Sequence, residues 1–151
     1  MVEPIQLTVT GLPKGQPRPR AFARKVGGKV VARVHEAGTA EAWKSQIAAA
    51  AEHLRPAEPL DGPIVVIVTF YMPRPKRLMR KSDREGAVWC QSKPDCDNLA
   101  KAALDCLTEL RWWGDDSQVA SLLINKCYHA KGGLPGMVMI VDRMPSDGPC
   151  V

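Results

Sequence analysis

The stretch from residue 63 to residue 72, Pro-Ile-Val-Val-Ile-Val-Thr-Phe-Tyr-Met, constrains this chain more than any other. Odd and even positions are apolar alike, so no register exposes a polar face. The run is β-branched and aromatic, which suits a strand. It falls far short of the roughly 20 apolar residues that a membrane-spanning helix needs. It is therefore expected to be a central strand covered on both faces. The 151 residues are the usual size of one domain and bury a core without disulfides. A single domain over 1–151 is expected, with 143–151 a flexible tail.

Around that strand the other elements follow from periodicity and punctuation. Residues 4–10 alternate apolar and polar and read as a half-buried strand ended by Gly11 and Pro13. The run Gly15-Gln16-Pro17-Arg18-Pro19-Arg20 is expected to be an exposed basic loop, since proline removes backbone donors. Gly27-Gly28 suits a hairpin turn between strands near 21–26 and 29–34. Thr39 is placed to cap a helix through about residue 54, with the stripe Ala40, Trp43, Ile47, Ala50, Ala51 and Leu54. Residues 73–94 read as a long basic loop. Asp95 or Asp97 opens a second helix running to about Glu109, with Leu99, Ala102, Ala103, Cys106, Leu107 and Leu110 inward. Strands at 118–128 and 136–142 complete an α/β (α+β) domain, a mixed sheet with helices packed on it.

Charge is unevenly distributed. The net charge is +5, yet residues 14–33 carry seven bases and no acid, and 74–84 carry six bases against Asp83. Residues 95–116 reverse the sign, with six acids against Lys101 and Arg111. Basic loops around an acidic centre suit a polyanion that must also meet a cation-bound site. Five cysteines, Cys90, Cys96, Cys106, Cys127 and Cys150, form no CxxC pair, the usage of a reducing cytoplasm. Cys90, Cys96, Cys127 and His129 fit no standard zinc spacing. No signal peptide is expected from Met1-Val2-Glu3-Pro4, which has no basic region followed by an apolar stretch.

The acids fall in two groups. Asp95 and Asp97 lie at the mouth of the second helix, where a carboxylate can cap backbone N–H groups. Capping explains one aspartate well, but not two with Lys101 one turn on and Asp105 a turn beyond that. Asp97, Lys101 and Asp105 share a stripe opposite the one led by Leu99. As a surface pair, Lys101 with Asp97 or Asp105 would contribute only about 0.3–0.5 kcal/mol. The second group, Asp115-Asp116, stands at a strand entry after Trp112-Trp113-Gly114, an aromatic pair suited to fixing the loop against the helix end. Adjacent strand residues face opposite ways, so both are not expected on one metal, and the residues alone do not choose between them. Should the groups converge, two carboxylates about 4 Å apart repel by roughly 4 kcal/mol at an effective dielectric near 20. A divalent cation reverses that sign, and all-oxygen ligands favour Mg²⁺ or Mn²⁺.

Lys-Pro-Asp-x-Asp-Asn-Leu-x-Lys-x-x-x-Asp at 93–105, followed by Trp-x-Asp-Asp-Ser-Gln at 113–118, resembles the signature of the RusA family of crossover junction endonucleases. Gly-Leu-Pro-Lys-Gly-Gln-Pro-Arg-Pro-Arg at 11–20 resembles that family's basic N-terminal loop. The resemblance implies a homodimeric, cytoplasmic, bacterial or phage-encoded nuclease that uses Mg²⁺, with Mn²⁺ a substitute, to resolve Holliday junctions in recombination and repair. By position it implies Asp95, Asp97 and Asp116 as catalytic metal ligands and Lys101 as the catalytic lysine. Lys93 and Pro94 stand where an arginine-rich approach to the first aspartate is better known. Lys14, Arg18, Arg20, Arg74, Lys76, Arg77 and Lys93 are the expected DNA contacts, with Trp89, Phe22 and Tyr71 available for stacking. Two other functions are compatible with parts of the pattern. A non-catalytic DNA-binding protein needs only the basic loops, and a divalent-metal phosphohydrolase acting on nucleotides needs only the acids. Neither accounts for both.

Overall fold

The computed structural model describes residues 3–16, 19–36 and 40–149. The strands are β1 (Ile5–Thr10), β2 (Pro19–Val26), β3 (Lys29–Glu36), β4 (Ile64–Met72), β5 (Val88–Trp89), β6 (Val119–Tyr128) and β7 (Gly136–Arg143). The helices are α1 (Glu41–Leu54) and α2 (Cys96–Glu109). Short 3-10 turns occupy Lys76–Leu78 and Asp116–Gln118. Five strands form one mixed sheet in the order β1-β7-β4-β6-β5. Among the described strands β4 and β6 alone pair in parallel, joined by the crossover that contains α2. The mixed α/β architecture expected of the sequence is the one observed.

β4 holds the centre, as its composition demands, but only one of its faces is covered. Ile64, Val66, Val68, Phe70 and Met72 are buried against Trp43, Ile47, Leu99, Ala103 and Leu107 of the two helices. The alternate residues Val65, Thr69 and Tyr71 are half-buried and Ile67 is exposed. Two-sided coverage is thus corrected: both helices pack on the same face. On the open face Ile140, Ile67 and Leu123 stand abreast across β7, β4 and β6.

Other expectations are corrected locally. The run expected to be a loop through Arg20 is already strand at Pro19, which opens β2 and pairs with Glu36; a first strand position tolerates the missing N–H. β2 and β3 form a separate hairpin sheet. Thr39 lies outside the described residues, and the N-cap position of α1 falls on Ala40, whose methyl group cannot cap. Leu54 is exposed because the last turn of α1 runs beyond its last buried residue, Ala51. The 73–94 segment is not a bare loop, since it holds the 3-10 turn and β5. No helix among the described residues is long and apolar enough to cross a membrane.

Candidate active site

Asp95 takes the N-cap position of α2 with extended backbone (φ −71°, ψ 150°), yet its side chain makes no cap hydrogen bond. The carboxylate turns to Lys93, whose Nζ donates to it at 3.0 Å. The approach to Asp95 is fixed from below by Lys126. This β6 lysine is only 9% exposed and donates its ammonium to the carbonyls of Ser92 and, at 2.7 Å, Pro94. Tyr128 Oη adds a bond to Ser92 Oγ at 3.0 Å. The peptide between Lys93 and Pro94 is cis.

The N-terminal basic loop docks on the same helix mouth. Gln16 N donates to Asn98 O at 3.0 Å. Gly15 lies so close that a Cβ there would stand 3.1 Å from Asn98 Cβ and 3.3 Å from Pro94 Cβ. Only glycine admits this approach without displacing a neighbour. Lys14, exposed, is thereby brought beside the start of α2.

Along α2 the stripe Asp97, Lys101, Asp105 and Thr108 follows the helical repeat. Lys101 Nζ donates to Asp105 Oδ1 at 2.8 Å. That hydrogen bond raises the Lys101 pKa above the ordinary lysine value; partial burial opposes the shift, and the charges of Asp105 and Asp116 reinforce it. Asp97 is exposed and has its own interaction.

Asp116 is joined to this stripe through Thr108. The Thr108 hydroxyl accepts from Trp113 Nε1 at 2.8 Å and lies within donating distance of both Asp116 Oδ1 and Leu104 O. A hydroxyl has one proton, so at any moment it serves one of these two acceptors. The chain reaches this position through a tight helix stop. Trp112 N bonds Leu107 O and Arg111 N bonds Thr108 O, both at 3.0 Å, with Arg111 at φ 63°. This is the Schellman pattern, here with arginine where glycine is usual. Trp112 and Trp113 are fully buried, fixing the loop against the helix end as expected.

Asp115 and Asp116 have different tasks, but not because of strand alternation, since they precede β6 in a 3-10 turn. Asp115 caps that turn: its Oδ1 accepts from Ser117 N at 2.8 Å, and this bonding holds its carboxyl below the usual range. Gln118 closes the capping box and does more. Its Oε1 accepts from Gly114 N and Asp115 N, while its Nε2 donates to Leu60 O and Gly62 O, each at 3.0 Å. The Asp116 loop is thus clamped to the entry of β4.

Asp95, Asp97 and Asp116 offer carboxylate oxygens, the donor type a hard divalent cation takes. As the side chains stand, no three His, Cys, Asp or Glu residues among those described gather at ion-binding distance. Asp95 instead meets Lys93, Asp105 meets Lys101, and Asp116 meets Thr108.

Of the expected DNA contacts, Lys14, Lys76, Arg77 and Lys93 are exposed. Arg18 lies outside the described residues. Arg20 stands in β2, and its side chain is outside the description. Arg74 is a correction. It is 9% exposed, and its guanidinium donates to the carbonyls of Leu78, Gly86, His129 and Arg84 at 2.5–3.3 Å. Those bonds use its donors to hold the 73–94 segment, leaving it inside the fold. Lys131 supports the same segment, reaching Arg80 O at 2.6 Å and Asp83 O at 2.8 Å. Lys126, Gln118, Thr108 and Lys131 were not assigned roles from sequence, because their partners are distant along the chain or are backbone atoms.

Three comparisons bear on this arrangement. The family model described as "Endodeoxyribonuclease RusA" matches residues 11–139. A Bacillus subtilis (strain 168) protein described as uncharacterized, YqaN, is 34% identical over 143 residues, which is 91% of this chain and 97% of that protein. The crossover junction endodeoxyribonuclease rusA of Lactococcus phage r1t is 36% identical over 64 residues, covering 42% of this chain and 44% of the phage protein.

Proposed function

Because the chain belongs to the RusA endodeoxyribonuclease family, we propose that it resolves Holliday junctions by paired, Mg²⁺-dependent hydrolysis of phosphodiester bonds, in DNA recombination and repair. The observation that carries this reading is the junction of the two motif halves: Thr108 bonds Asp116 onto the α2 stripe, where Lys101 feels its charge. A metal ion held by Asp95, Asp97 and Asp116, Mg²⁺ or Mn²⁺, would lower the pKa of a bound water and neutralise charge on the phosphate. Lys101, hydrogen-bonded to Asp105, faces the attacked phosphate and offsets its growing negative charge. Asp105 is the positioning residue for that ammonium. Lys14 and Lys93, flanking the helix mouth, meet the phosphate backbone, and Lys76 and Arg77 extend the cationic track.

One chain carries one copy of the aspartate motif, whereas symmetric resolution needs two incisions. A homodimer with two-fold symmetry supplies both sites to the like strands of a four-way junction. The setting is the cytoplasm of a bacterium, where such DNA resides. The test is a labelled synthetic four-way junction incubated with and without Mg²⁺, followed by DNA ligase. Linear duplexes that ligase seals, formed only with the metal, are expected. Unsealable products, or equal cleavage in EDTA, would contradict paired metal-dependent resolution.

A further inference from the structure

The chain has four tryptophans, and three of them, Trp43, Trp112 and Trp113, are at most 1% exposed. Trp89 is 74% exposed, the highest value among the exposed large hydrophobics of the described residues. It is not on a slack loop tip. β5 pairs Trp89 with Cys127 and Val88 with Tyr128, and Cys90 N bonds Lys126 O at 3.0 Å. Val88 packs against the core, so strand alternation turns Trp89 the other way. The preceding backbone is fixed where Arg74 binds the carbonyls of Arg84 and Gly86. A large aromatic surface is thus left in water on a rigid mount.

Beside the indole lies a cavity of about 300 Å³, lined by Arg84, Ala87, Val88, Trp89 and Cys127. Arg80, Lys81 and Arg84 are exposed on the adjoining segment. A flat aromatic wall beside Ala87 and Cys127, with a cationic rim, suits a planar π-system carried on a polyanion. An intact duplex buries its base faces in the stack, whereas a branch point can present one unstacked. The six steps along the backbone from Trp89 to Asp95 span at most about 22 Å. Lys126 fastens this connection at Ser92 and Pro94, so the indole and the first aspartate keep a fixed relation.

Resting on the DNA-cutting reading above, we propose that Trp89 and its cavity form a nucleobase subsite that receives a base unstacked at the branch of the DNA. The basic rim favours DNA over a second copy of this +5 chain, and a copy covering Trp89 becomes one outcome of the test. Because the other tryptophans are buried, the acrylamide-accessible part of the intrinsic fluorescence reports on Trp89 in the intact protein. The wild type, Trp89→Phe and Trp89→Ala are titrated in EDTA with a four-way junction and with a linear duplex of the same sequence. Wild-type cleavage of that junction with Mg²⁺ is scored in parallel.

The junction should quench wild-type emission and shield it from acrylamide, while the duplex should do neither. Trp89→Ala should bind the junction roughly ten-fold more weakly, with duplex binding unchanged, and Trp89→Phe should recover most of the loss. Quenching absent from a wild type that binds and cuts the junction would overturn the subsite and leave the nuclease reading intact. So would full junction affinity in Trp89→Ala. A fall in molecular mass on Trp89→Ala would assign the indole to a contact between copies and also overturn the subsite. A wild type that never cuts the junction would defeat the underlying reading itself.

Discussion

At the scale of single residues, Thr108 and Lys101 connect the two halves of the site. Thr108 accepts from the buried Trp113 indole and contacts Asp116. Thr108→Val keeps the shape, removes both links and leaves a buried N–H unpaired. It should lower stability by about 1–3 kcal/mol in urea unfolding and reduce cleavage, and Thr108→Ser should restore both. Lys101 has its pKa raised, chiefly by the Asp105 hydrogen bond. A raised lysine pKa stabilises the folded chain fully below the ordinary lysine value of 10.5, and that contribution is lost as pH rises through the folded value. Lys101 is largely in solvent, so screening keeps the contribution small. Its ammonium is charged throughout the neutral range. In Asp105→Asn, NMR titration of Lys101 should show its pKa moving down, and cleavage should fall with junction affinity retained.

At the scale of elements, two devices hold the site in place, and both can be tested without DNA. Arg74 anchors the 73–94 segment through carbonyls spread from Leu78 to His129. Arg74→Ala should cost about 3 kcal/mol of stability, because buried acceptors lose a charged donor. Arg77→Ala, at an exposed neighbour, should leave the unfolding midpoint nearly unchanged and weaken only DNA binding. Arg111 ends α2 at φ 63°. Arg111→Gly relieves that left-handed backbone and should raise stability by about 1 kcal/mol, read from the urea midpoint. The legibility of these elements differs for physical reasons. α2 was readable almost to the residue, because its inward stripe repeats every 3.6 positions and its motif sits on the opposite stripe. The open face of β4 was hidden, because a strand apolar at every position gives no period-2 signal. The burial of Arg74 was equally hidden, because an arginine in a basic run looks solvated until carbonyls up to 55 residues away close around it.

At the scale of the whole molecule, one layer of helices covers one face of a five-stranded sheet, and the acidic stripe lies on the helix next to β6. The basic N-terminal loop meets that helix at its mouth, so cations and acids distant in sequence share one region. The sequence motif located this region but not its supports. Gln118, for instance, reaches carbonyls 56 and 58 residues away. The central claim is that Asp95 and Asp97 serve the chemistry rather than DNA affinity. The most direct measurement compares wild type, Asp95→Asn and Asp97→Asn on one end-labelled four-way junction, scoring binding in EDTA and cleavage in Mg²⁺. Each variant should bind at least as tightly as the wild type, since a negative charge near phosphate is removed, and should leave the junction uncut. Cleavage by either variant near the wild-type rate would contradict the account.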